Sequence, residues 1–130
     1  MEVRTREALP LSWATSQYNL AYTLSDQAAD AEGPDRARLF DESATAYRAA
    51  LEVYTREALP EDWAMTQNNL AATLYDRAEG ATGAERARLV GEAVDAMRAS
   101  LTVFTEESDA EWFAEQQAWI SDVVAELNER

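Results

Sequence analysis

The chain contains neither cysteine nor histidine. Disulfides, thiolate-held zinc, imidazole ligands and every nucleophile that relies on a Ser/His or Cys/His pair are therefore excluded by inventory. Lysine is absent too, so all eleven cations are arginines, set against 25 acidic residues for a formal charge of −14. A surface of that sign repels phosphate backbones and anionic membranes, which argues against nucleic-acid and lipid partners. It is also the composition of a plainly solubilised protein or of one adapted to a salty cytoplasm. No stretch approaches the roughly 20 apolar residues that a membrane span requires, and residues 1–20 lack the basic start and apolar run of a signal peptide. The expectation is a soluble, cytoplasmic protein. No GxGxxG or GxxxxGK[ST] run is present to cradle a phosphate. The stretch DAEGPD at 30–35 lacks the ligand spacing and downstream glutamate of a calcium loop and reads as a helix break. No metal or cofactor is expected.

What the chain does have is a repeat. Slid against itself by 50 positions, residues 3–52 align with 53–102, and 28 of the 50 pairs are identical. The matches are of the kind that fix packing: Trp13 with Trp63, Leu20-Ala21 with Leu70-Ala71, Leu24 with Leu74, Leu51 with Leu101. A period of 20–50 residues marks stacked supersecondary units, none of which buries its apolar face alone. Within a unit the apolar spacing is helical. Trp63, Gln67, Leu70, Ala71, Leu74 and Ala78 recur at steps of three and four, on a helix that Pro60 opens with Glu61 and Asp62 in its first turn. This is helix A of the unit. Leu89, Ala93, Met97, Ser100, Leu101 and Phe104 form a second stripe after the break at 80–83, as do Phe40, Ser43, Tyr47, Ala50, Leu51 and Tyr54 after Gly33-Pro34. This is helix B. Each spans about 30 Å at 1.5 Å per residue, and short connections force the two to lie antiparallel.

The run Asn69-Leu70-Ala71 with Leu74, then Ala93, Met97, Ser100 and Leu101, resembles the tetratricopeptide repeat (TPR). The first copy matches as Leu20, Ala21 and Leu24, then Ser43, Tyr47, Ala50 and Leu51. The likeness spans essentially the whole chain, with two departures. The usual period is about 34 residues rather than 50, and Gln67 stands at the expected tryptophan place, with Trp63 one turn earlier. Long-helix relatives of this kind occur within large bacterial regulatory proteins. The resemblance implies an all-α, TPR-like superhelix, a solenoid of antiparallel helix pairs with a C-terminal capping helix. Its divisions are a partial helix B at 1–9, repeat 1 at 10–58, repeat 2 at 59–108 and the cap at 109–130.

Stacked pairs curve, and the concave face built from the helices A offers an extended binding surface. In the resembled family an Asn one place before the Leu-small pair holds the backbone of a bound peptide, and Asn19 and Asn69 occupy that place. Tyr18, Tyr22 and Asp26, with Asn68, Ala72, Tyr75 and Asp76, share the face by helical spacing. The other reading of the asparagines is that they tie neighbouring helices together. Family members that clamp a terminal carboxylate use groove Lys and Arg, whereas this groove carries Asp26 and Asp76. The expected partner is thus a neutral or basic protein segment. In the last helix Trp112, Phe113, Trp119, Ile120, Val123, Val124 and Leu127 make a broad apolar stripe. Either it folds over the preceding helix as a cap, or Trp112 or Trp119 meets a second chain. Arg38 with Glu42, Arg88 with Glu92 and Arg48 with Glu52 stand four apart and read as surface pairs. Carboxylate neighbours such as Asp41-Glu42 and Glu106-Glu107 read as a solvated face rather than acid/base machinery. The reading is a non-enzymatic interaction scaffold. Its alternatives are a self-assembling module, as a homodimer or longer stack, and a piece of a larger bacterial regulatory protein.

Overall fold

A computed structural model describes residues 9–128 and contains five α-helices with no strand among them. They are α1 (Pro10–Asp30), α2 (Gly33–Ala50), α3 (Pro60–Ala78), α4 (Gly83–Ser100) and α5 (Ala110–Asn128). Of the partial helix B expected at 1–9, residues 1–8 lie outside the described ones, and Leu9 is the N-cap of α1.

The 50-residue offset recurs in the helix starts. α1, α3 and α5 begin at positions 10, 60 and 110, and α2 and α4 begin at glycines 33 and 83. Pro10 and Pro60 open their helices where no backbone donor is needed. Position 110 is alanine, and there Asp109 supplies the start instead, accepting a bond from the Trp112 amide at 3.0 Å. Gly33 and Gly83 sit at φ of +60° and +57°, the left-handed region that lets the chain reverse across the two residues between α1 and α2 and the four between α3 and α4. So tight a reversal lays α2 back along α1, and α4 back along α3.

Each helix packs chiefly on its neighbours in the chain: α1 with α2, α2 with α3, α3 with α4, α4 with α5. The main core runs through the α2–α5 layers, with Tyr47, Leu70, Leu74, Leu89, Val94, Met97 and Ile120 buried in it. A smaller cluster of Ala14, Ala50 and Tyr54 closes the other end of the first pair. Alanines at 21, 71, 78 and 93 are fully buried and let the helix axes approach closely.

Polar devices join the layers. Arg36 donates to the Ala29 carbonyl at 3.5 Å, and Arg86 to the Ala78 carbonyl at 3.0 Å, so each second helix sends an arginine to the carbonyl end of the first. Arg86 also meets Glu126 of α5 at 2.9 Å. Asp41 and Arg48, two turns apart on α2, reach Arg77 of α3 at 3.0 Å and Glu92 of α4 at 3.1 Å. Arg38–Glu42 and Arg88–Glu92 form within their helices as the spacing predicts, at 3.4 and 2.7 Å. Arg48, expected to serve Glu52 on its own helix, finds Glu92 across the layer.

Candidate functional site

α1 and α3 run side by side at one edge of the layers, and between them lies a small cleft of about 150 Å³. Tyr22 and Asp26 of α1 and Asn69, Ala72 and Asp76 of α3 line it, with Tyr47 of α2 at its base. Four-residue steps put Tyr22 and Asp26 on one stripe of α1; Asn69, Ala72 and Asp76 share the facing stripe of α3. The two helices are pinned across the cleft. Asn69 donates its amide to the Tyr18 hydroxyl, and Ser25 bonds Thr73 at 3.0 Å. The Tyr18 ring stands edge-on to Tyr47 at 5.6 Å, and Ser43 of α2 donates to the Ala21 carbonyl at 2.7 Å from beneath.

The electrostatics are acidic and partly desolvated. Burial pushes the Asp76 carboxyl above its ordinary 3.8, with Glu79 adding to the rise and Arg36 opposing it. Burial also raises the Tyr18 and Tyr47 phenols, so both rings are neutral donors at ordinary pH. A cleft floored by neutral hydroxyls and edged by two aspartates offers acceptors for cationic or N–H donor groups. Among the described residues no cluster of three acidic side chains is arranged to hold a metal ion.

Some of the residues expected to share a groove face line this cleft and others do not. Tyr22, Asp26, Asn69, Ala72 and Asp76 come together, and Tyr18 stands just behind Asn69. Asn19 is exposed and does not line the cleft, and Asn68 is half-buried outside it. The two equivalent asparagines therefore differ. Asn69 has a preceding α1 to face and spends its amide on Tyr18, whereas Asn19 faces no earlier helix within the described residues. Tyr75 also leaves the group. Six residues beyond Asn69, it stands on the flank of α3 nearer α5, where its ring meets Trp119 edge-on at 5.2 Å. Trp112 meets Phe104 at 5.7 Å. Both tryptophans thus find aromatic neighbours within the chain, and both pack against the main core. Sequence reasoning missed Tyr47, Ser25 and Thr73. Tyr47 was legible only as core, because its stripe position makes it so; Ser25 and Thr73 carry no periodic signal.

No protein-family model, curated protein or solved structure matches this chain. No described helix is long and apolar enough to cross a membrane.

Proposed function

We propose that the protein is a non-enzymatic interaction scaffold, TPR-like in architecture, which holds a neutral or basic segment of another protein along the α1–α3 cleft. The observation that carries this reading is the meeting of Tyr22, Asp26, Asn69 and Asp76 on facing helices. An exposed phenol, an amide and two carboxylates suit an extended chain that brings N–H groups and a cation. The repeat pattern's resemblance to the TPR supports it from the side of sequence. The missing imidazole, thiol and lysine support the absence of catalysis, since the remaining carboxylates sit mainly in ion pairs and on solvated faces.

The net charge alone draws any cationic peptide, so the test must localise the contact. A twelve-residue peptide alternating alanine and arginine is titrated by fluorescence anisotropy against the wild type, Asp26→Asn/Asp76→Asn and the remote pair Glu107→Gln/Asp122→Asn. The cleft variant should weaken binding about tenfold, the cost of one or two charge-assisted bonds, and the remote pair by no more than about twofold. Equal losses, or tighter binding of a glutamate counterpart peptide, would refute the reading.

A further inference from the structure

An apolar groove of about 770 Å³ lies on the outer side of the first helix pair, between α1 and α2. Leu20, Leu24, Ala46 and Ala49 form its floor, and Glu42 stands on its rim. The internal repeat identifies what such a groove holds. Fifty positions on, Leu70, Leu74, Ala96 and Ala99, with Glu92, line the equivalent groove between α3 and α4. There α2 lies against the pair, and the remaining space is about 280 Å³ with Arg48 of α2 at its edge. Leu70 is 5 % exposed under that cover, whereas Leu20 is 48 % exposed. Leu20 and Leu70 open the same Leu-Ala pair, and the helices around them start at equivalent positions. Among the described residues, the difference is the presence of a covering helix.

The geometry points to the α1–α2 groove as a docking site for a separate amphipathic helix with the chemistry of α2. That occupant would present a small-residue apolar face and one arginine. The arginine follows from charge. Arg48 reaches Glu92 at 3.1 Å in the occupied copy, and Glu42 is Glu92's equivalent in the open one. The second ionic link of the occupied copy, Asp41 to Arg77, has no counterpart, because position 27 is glutamine. The visiting helix thus needs its cation but not its acid. A folded second copy cannot offer α2 for this purpose, since that helix already packs between α1 and α3. This inference concerns a different face from the cleft and stands independently of it.

The probe is a peptide of residues 33–54, held helical by a cross-link on its solvent face and titrated against the full chain. Saturable binding is expected, weakened about tenfold or more by Leu20→Glu in the protein, a substitution at an exposed site whose fold is checked by circular dichroism. Arg48→Glu in the peptide and Glu42→Arg in the protein should each weaken binding, and the two together should restore it. No binding, or binding indifferent to Leu20→Glu and to the charge swap, overturns the proposal. So does a concentration-dependent dimer that Leu20→Glu abolishes, which would assign the groove to a second copy. Binding that appears only after residues 1–8 are removed would assign it to that segment, with the same consequence.

Discussion

Ser43 and Ser100 show how much a single buried hydroxyl depends on its neighbours. Both are fully buried on a second helix, but Ser43 donates to the Ala21 carbonyl while the Ser100 oxygen has no partner. Position 50, the equivalent of Ser100, is alanine and equally buried. An unsatisfied buried hydroxyl costs about 1–3 kcal/mol, so Ser100→Ala should stabilise the protein by roughly 1 kcal/mol and Ser43→Ala should destabilise it by a similar amount. Urea denaturation of both variants checks the pair of signs. Asp76 supplies a pH dependence. Its folded-state pKa is raised by burial, so ionising it disfavours the fold. The favourable state is the protonated one, present below the ordinary value of 3.8 and lost as pH rises through the raised value. Asp76→Asn should therefore be more stable than wild type at pH 7, with the advantage fading as the pH falls toward 3.8. A constant difference across that range would contradict it. At this scale the sequence was only half legible. Leucine and alanine positions followed from spacing, but the roles of Asn19 and Asn69 diverged because, among the described residues, only Asn69 has a preceding helix to face.

At the scale of elements the sequence is far more legible, because helix start signals are local. Proline at 10 and 60 and glycine at 33 and 83 mark four of the five helix starts. Nothing lies within 4 Å of a Cβ added to Gly83, so the cost of Gly83→Ala comes from its φ of +57° alone. That cost should be about 1–2 kcal/mol, the left-handed penalty for an L-residue, and Gly83→Asn should recover part of it. Thermal melts of the two variants measure the difference. For α5 the start is an aspartate cap, and Asp109→Ala should cost roughly 1 kcal/mol. The longer-range ties were out of reach of helical spacing. Arg48 serves Glu92 across a layer, and an i,i+4 rule looks only along one helix.

For the whole molecule the dominant facts are a charge of −14 and a structure in which each helix packs chiefly on its sequence neighbours. Self-repulsion among carboxylates is screened by salt over about 10 Å at 0.1 M, so raising sodium chloride from about 0.02 to 0.5 M should raise the melting temperature by about a few degrees. A fall would mean that the arginine pairs outweigh the repulsion. The duplication told that two hairpins exist; it could not tell which leucine is buried among the described residues, since Leu20 and Leu70 sit in the same Asn-Leu-Ala run. Burial is a property of neighbours, and only the structure supplies those. The central claim is that one hairpin is used twice and that a covering helix makes the difference between its two environments. Chemical denaturation of Leu20→Ala and Leu70→Ala tests it most directly. Truncating Leu70 should cost about 2–4 kcal/mol and truncating Leu20 less than about 1. Equal costs for the two leucines would contradict the account.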